Sequence, residues 1–287
     1  MCSRFRFGIL WSCLFLPCSA GLFAQTTAPS SPPPPPQDPY IIEDGGFSIE
    51  PFYWLNSAQP TLRGGQSATA FTDYDYAGNA NNSLGGILSI PAGRSNTLRI
   101  SYFRSQGHAD ATLSQDATLF SEAYSAGDFI NGSYNIQNAK ISWDYLSYTW
   151  RNHSNIRLKT LYEVQFTTVS ANFDAPLKPI TTDSSGNTDT NTGHGSKNIV
   201  LPTLGAELEG SLNKRFRWEV KGSGFGLPHR ADIWDAEGTL YCRVKQFELL
   251  AGEKGYHFKT SPQSTEYFTH TLYGAYVGIR YYWGGER

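Results

Sequence analysis

No stretch of this chain approaches the ~20 consecutive apolar residues that a membrane-spanning helix requires. The apolar segment Ile9–Leu16 is too short, and it follows the basic residues Arg4 and Arg6. A multi-helix membrane protein is therefore excluded. Cysteine is scarce: of four, Cys2, Cys13 and Cys18 sit in the first eighteen residues and only Cys242 lies in the body. A disulfide-stapled secreted scaffold is excluded with it. The six histidines are scattered, with no His-x-x-x-His pair and no cysteine cluster, so the spacing of a zinc site is missing. No glycine loop of the phosphate-cradling kind occurs. Charged residues make up 17% of the chain and the formal net charge is −2. That balance offers no basic field for nucleic acid.

What the chain does have is aromatic residues, at 14%, and side chains that alternate in character. Residues 1–24 read as a secretory signal peptide, with cleavage after Ala24 or Ala20. Loss of Arg4 and Arg6 moves the net charge from −2 to −4. Residues 25–45 carry the run Pro32 to Pro36 and read as a disordered, polyproline-type arm. Residues 46–283 read as one β-domain, followed by the short tail 284–287.

The domain divides into ten strand candidates, at 46–55, 83–91, 96–105, 139–151, 156–169, 199–212, 215–225, 231–244, 247–258 and 270–283. Successive residues of a strand face opposite ways. In the fifth candidate, Ile156, Leu158, Tyr162, Val164 and Phe166 oppose Arg157, Lys159, Glu163 and Gln165. In the seventh, Phe216, Trp218 and Val220 oppose Arg217, Glu219 and Lys221. In the eighth, Trp234, Ala236 and Leu240 oppose Asp235, Glu237 and Thr239. The second (Leu84–Ile90) is apolar on both faces, and the fourth mixes Trp143 and Tyr145 with Asp144. Pro51 removes a ladder donor from the first, where a bulge or a later strand start is expected. The connections alternate between tight and long, the longest being Asn56–Asn82, Gln106–Asn138 and Ser170–Asn198. Membrane barrels have this asymmetry of short periplasmic turns and long external loops.

If the apolar faces meet lipid, the charged faces line a lumen. Lys159, Glu163, Glu207, Glu209, Arg217, Glu219, Lys221, Asp235, Glu237, Arg243 and Arg280 are assigned there, with Glu50, Arg99, Asp144, Arg157, Glu248 and Lys254 beside them. Neighbouring strands can pair Glu207 and Glu209 with Arg217 and Lys221, and these with Asp235 and Glu237. Trp218, Trp234, Tyr281 and Trp283 are assigned to the membrane girdle. Ten strands enclose a narrow lumen, so a dense ionic network fills it or leaves a narrow pore. The loops 56–82 and 106–138, with Tyr74, Tyr76, Phe120, Tyr124, Phe129 and Tyr134, suit either an external recognition surface or segments folded back into the mouth.

The last strand, Tyr276-Val277-Gly278-Ile279-Arg280-Tyr281-Tyr282-Trp283, resembles the C-terminal assembly signal of bacterial outer-membrane barrels, although Gly284-Gly285-Glu286-Arg287 follow its final aromatic. Ser48-Ile49-Glu50-Pro51-Phe52-Tyr53-Trp54, with Ala175–Pro179 and Lys254–Lys259, is similar to an uncharacterised family of environmental-bacterial outer-membrane barrels. The resemblance implies fold and location over about residues 46–283, and no activity. It implies a Gram-negative cell envelope, with outer-membrane lipids and the barrel-assembly machinery as partners and the external ligand open. The expected protein is an all-β, transmembrane, up-and-down antiparallel barrel, non-enzymatic, with no cofactor or metal. Its role is that of a surface or structural protein, or of a narrow porin-like channel. The alternative is a hydrolase at the external rim. In strand number and size the chain resembles the omptin surface proteases, for whose acidic and Asp-His pairs only Asp73, Asp75, His229 and Asp232 stand in. For a lipid A-modifying enzyme the candidates are His257 with Ser261 or Ser264. The polar run Asp183–Asp189 lacks the glutamate of a calcium loop.

Overall fold

The computed structural model describes residues 46–56, 61–64, 72–74, 80–93, 95–120, 122–150, 156–180, 191–228, 231–261 and 266–283. The signal segment, the Pro-rich arm, Asp75, Tyr76, Asp183–Asp189, His229, Ser264 and the four-residue tail lie outside the described residues. In chain order the strands are β1 (Phe47–Trp54), β2 (Thr61–Gly64), β3 (Thr72–Tyr74), β4 (Ala80–Pro91), β5 (Thr97–Thr112), β6 (Ala117–Leu119), β7 (Glu122–Tyr124), β8 (Phe129–Thr149), β9 (Ile156–Asp174), β10 (Thr192–Ser211), β11 (Phe216–Leu227), β12 (Ala231–Val244), β13 (Phe247–Lys259) and β14 (Glu266–Trp283). Ten of them form a closed antiparallel barrel in the order β1-β4-β5-β8-β9-β10-β11-β12-β13-β14. Closure is made by β1 on β14, with Phe47 opposite Trp283 and Tyr53 opposite Val277. A closed sheet leaves no unpaired edge, which is what lets strands stand in lipid.

Side chains sort by parity along the barrel strands. On β9, Tyr162, Val164 and Phe166 lie outside while Lys159 is fully buried. Leu204 of β10 and Leu240 of β12 are about 60% exposed, while Glu207, on the same strand as Leu204, is 0% exposed. Such an arrangement is unstable in water and stable in hydrocarbon, because the apolar surface is on the outside. At the end carrying the tight turns, Phe47, Phe247, Tyr281 and Trp283 make an outer aromatic cluster, with ring centroids 4.9–5.1 Å apart. Trp234 projects from the opposite end, and Trp218 is half-buried.

Three expectations need correction. The register of β1 with β4 runs unbroken through Pro51, opposite Gly86, and the strand starts at Phe47, so no bulge forms there. The bulges fall instead between Asn81 and Leu84, and between Leu146 and Tyr148. The loop expected at 106–138 is largely strand, and the loop expected at 170–198 is strand at both ends, over 170–174 and 192–198: β5, β8, β9 and β10 extend well beyond the apolar band and form a tall wall on one side. Tyr134, placed in a recognition loop, points into the barrel and is buried.

On this wall the pattern reverses along one register row. Tyr102, Ala139, Phe166 and Val200 pair in sequence across the four strands and are the last apolar outward residues. The next outward rows are Arg104–Gln137–Thr168–Asn198, Gln106–Asn135–Ser170–Ser196, His108–Ser133–Asn172–His194 and Asp110–Asn131–Asp174–Thr192. Inward, the residues above the row become Ile130, Tyr134, Ile136, Val169, Ala171, Phe173 and Ile199, all buried. Below the row the barrel is apolar outside and ionic inside; above it, polar outside and mainly apolar inside.

Candidate functional site: the lumen and its cap

Parity aims Arg99 of β5 at the axis, and from there it spans the lumen. Its guanidinium meets Asp144 of β8 at 2.8 Å, Glu207 of β10 at 2.9 Å and Glu219 of β11 at 3.2 Å. Around it, Arg157 pairs with Glu209 at 2.5 Å, and Lys159 lies 3.2–3.4 Å from Glu209 and Glu207. Lys221 bridges Glu219 and Glu237, both at 3.0 Å, and Lys254 holds the other oxygen of Glu237 at 3.0 Å. Lys140 of β8 crosses to Asp235 at 2.6 Å and Glu163 at 3.3 Å. Towards the tight turns, Arg217 grips Glu248 through two nitrogens, each at 2.8 Å. Arg280 holds Glu50 at 2.5 Å through Nε. The ring of Tyr241 lies between these two guanidiniums, 3.6 Å from Arg217 and 4.9 Å from Arg280.

The lumen-facing assignments other than Arg243 therefore meet in a network; Lys221 takes Glu237 as expected, and most of the others take different partners. Glu207 and Glu209 take Arg99, Arg157 and Lys159 rather than Arg217 and Lys221. Asp235 takes Lys140. Arg217 and Arg243 are half-buried at the tight-turn end, where Arg243 stacks 4.6 Å above the Tyr282 ring. Lys140 was not among the expected lumen residues. Its signal was available, since it shares parity with Ser142 and Asp144, but the mixed aromatics of this strand hid it. Oxygens of Glu207, Glu209 and Glu219 lie within 4.8 Å of one another; the arginines and lysines named above already neutralise them.

The network leaves little space. Beside Arg99, Lys140 and Lys254, about 20 Å³ is open to the centres of water molecules, and beside Asn138 and Tyr256 about 10 Å³. One water needs ~10–15 Å³. Above the ionic layers comes an aromatic one, Trp54 on Phe103 at 5.3 Å and Phe103 on Tyr256 at 5.0 Å. Over this the hairpin β6–β7 folds into the mouth. Leu113, Ala117, Leu119 and Tyr124 are buried. Phe120 lies parallel to Phe173 (5.8 Å) and Phe268 (5.7 Å). Its φ of 52° is left-handed, a conformation that costs a non-glycine residue ~1–2 kcal/mol and is held here by the two stacks. Tyr124 Oη donates to the Phe173 carbonyl at 3.0 Å and accepts from the Gly193 amide at 2.8 Å. Glycines admit the hairpin: a Cβ on Gly195 would lie 2.1 Å from the Phe120 ring, and one on Gly193 would lie 2.8 Å from the Leu119 carbonyl. Lys178 ties the hairpin to the next loop through Glu122 at 2.9 Å.

The rim residues considered for hydrolysis are arranged differently from expectation. His257 contacts Asp232 through Nε2 at 3.0 Å and Thr271 through Nδ1 at 2.7 Å. Trp234 stacks on its ring at 5.4 Å. These four residues share the outward face, because His257 registers with Trp234 and with Thr271. Asp73 lies on β3, and Ser261 is half-buried just after β13.

Closed antiparallel strands with an apolar outer band and a charged interior define the outer-membrane type of β-barrel. No protein-family model matches this chain, and no curated protein matches it in sequence. Among solved structures it is similar to the outer membrane protease OmpT from Escherichia coli, at 8% identity and TM-score 0.52, covering 84% of this chain and 97% of that one. The translocator domain of the autotransporter NalP from Neisseria meningitidis is more distant, at 13% identity and TM-score 0.43, covering 82% and 88%. So is Ail, the attachment invasion locus protein of Yersinia pestis, at 12% identity and TM-score 0.33, covering 83% and 99%. These neighbours are bacterial outer-membrane barrels. At such identities the OmpT likeness shows the fold alone, and the other two carry no further argument.

Proposed function

We propose that this chain is an integral outer-membrane β-barrel that acts as a closed, non-enzymatic surface protein rather than an open pore. The supporting observation is Arg99, whose side chain joins three other strands, two of them, β10 and β11, across the lumen. The cap above it rests on Phe120. The apolar band supports lipid contact, and the final strand supports delivery by the barrel-assembly machinery. The test is conductance in planar bilayers. The expected record shows no discrete steps, and steady unitary steps from the intact chain would reject the closed reading.

One observation favours a second reading, a rim hydrolase acting on lipid. The Asp232–His257–Thr271 chain joins a carboxylate, an imidazole and a hydroxyl on the outer wall, the sequence of groups by which a base activates a nucleophile. Release of fatty acid from outer-membrane lipid vesicles, lost in His257→Ala and Thr271→Val, is its expected sign. Equal release by the variants would exclude it.

A further inference from the structure

The four polar rows of the tall wall have no part in closing the lumen. They form a flat patch four strands wide, ~15 Å across and ~20 Å or more along the strands at 4.8 Å between strands and ~3.3 Å per residue. Every outward side chain in it is an amide, hydroxyl, imidazole or charged group. Fixed charge is limited to Arg104, Asp110 and Asp174, and there is no lysine. A polyanion is recognised by clustered arginines and lysines, and a protein partner by buried aromatic or aliphatic anchors. The patch has neither. It offers closely spaced donors and acceptors of nearly zero net charge, the complement of a neutral, hydroxyl-rich sugar chain.

The side chains are also held in position. Arg104 Nε donates to Asn135 at 2.7 Å, Thr192 donates to Asp174 at 3.1 Å, and His194 meets Asn172. Below, Tyr102 donates to Gln137 at 3.1 Å, tying the patch to the last apolar row. Groups fixed before binding lose less entropy on contact.

We infer that this patch binds the oligosaccharide headgroup of glycolipid in the outer leaflet of the same membrane. The inference rests on the outer-membrane placement proposed above. The occupant is fixed by continuity: the patch begins one register row above the apolar band, so a lipid whose tails lie against Phe166 and Val200 places its sugars against Thr168, Asn198 and the rows beyond. The patch is confined to the tall wall, so one side of the barrel is the side coated.

The experiment uses the full mature chain in nanodiscs, with three probes: a glycolipid carrying an uncharged oligosaccharide headgroup, the same lipid stripped of sugar, and the released oligosaccharide alone. Native mass spectrometry counts what each barrel retains. The intact glycolipid is expected to be held about tenfold more tightly than the stripped lipid, the equivalent of one or two net hydrogen bonds. Asn135→Ala/Asn172→Ala/Asn198→Ala should erase that difference and leave binding of the stripped lipid unchanged. Ser170→Glu, a single change at a half-buried outward position whose folding is read from heat-modifiable gel mobility, should weaken intact glycolipid alone. Equal retention of intact and stripped lipid, or variants without effect, would overturn the inference. So would free oligosaccharide binding as tightly as intact glycolipid, which would reassign the patch to soluble sugar. Membrane placement is scored separately by flotation with lipid: a chain that floats but shows no sugar preference refutes this inference alone, and one that does not float refutes the placement too.

Discussion

On β9, Lys159 and Glu163 point inward beneath Phe166, while Val169 and Phe173 point inward above it. Outward, Tyr162 and Val164 give way to Ser170 and Asn172. One strand, with one hydrogen-bond ladder and one parity, thus obeys opposite rules in its two halves. The backbone does not distinguish inside from outside; the solvent does. Where the outer solvent is hydrocarbon, apolar side chains gain nothing by turning inward, and the interior can be ionic. Where it is aqueous, burial of Ile136, Val169 and Phe173 supplies the usual hydrophobic gain of ~25 cal/mol per Å². The lower half is closed by charge pairing, and the upper half is a small water-type core carried on four long strands.

The largest expected effect breaks the lower half. Arg99→Leu keeps the volume apolar but strips Asp144, Glu207 and Glu219 of their shared cation. Removing one partner of a buried ionic group costs ~3–5 kcal/mol, because the remaining charges stay buried. The urea midpoint of the barrel, followed by heat-modifiable mobility after lipid reconstitution, should fall accordingly. An unchanged midpoint would mean that Arg99 is not central to closure.

The next effect sharpens the contrast directly by placing one substitution on either side of the boundary. Leu204→Lys puts a cation on the lipid face of β10, where a midplane lysine costs ~2–4 kcal/mol. Ser170→Lys puts the same group on the outer face of β9 above the boundary, where a surface change stays within ~0.5 kcal/mol. Folding free energies in vesicles should separate the two by at least ~1.5 kcal/mol by those ranges. Equal costs would erase the boundary row.

This inversion also explains which parts of the molecule were legible in the sequence. Below the boundary, alternation of Phe216, Trp218 and Val220 with Arg217, Glu219 and Lys221 identifies both faces, and closure into ten strands follows. Above it, Gln106–Thr112 and Ser170–Asp174 show no outward apolar face, and their Asn, Ser, Gly and Thr content is that of a loop. The inward apolar residues there are small or isolated, so the strand signal is lost although the strand continues. Partners across the lumen were illegible for another reason. Adjacent-strand rules reach only neighbours, whereas Arg99 bonds to β10 and β11, three and four places along the barrel order from β5.

A smaller effect tests the cap. Phe120→Ala deletes the ring held between Phe173 and Phe268; the loss of a large aromatic from a packed site costs ~3 kcal/mol or more, reduced here by the site's partial exposure and by milder left-handed strain. Gly195→Val attacks the same contact from the wall, by filling the space that the ring occupies. Both should speed proteolysis within 113–128 severalfold, leaving the barrel's urea midpoint within ~0.5 kcal/mol, as expected for changes that open a local unit. A matching fall in the global midpoint would show that cap and barrel unfold together.

The smallest effect is a titration. Tyr124 lies in the cap hairpin, outside the membrane band, and burial pushes its hydroxyl from the ordinary 10 up to about 12, partly opposed by the Gly193 amide. A pKa raised in the folded state favours the neutral phenol, so its contribution is complete below pH 10 and is lost as pH climbs from 10 through about 12. The sign follows from the bonds: the neutral hydroxyl donates to the Phe173 carbonyl, and a phenolate has no proton to give. Tyrosinate absorbance at 295 nm, taken as the difference between the native chain and Tyr124→Phe, should rise near pH 12. A difference that titrates near pH 10 would place this hydroxyl in water and the hairpin out of the mouth, leaving the upper half without the lid that sets it apart from the lower.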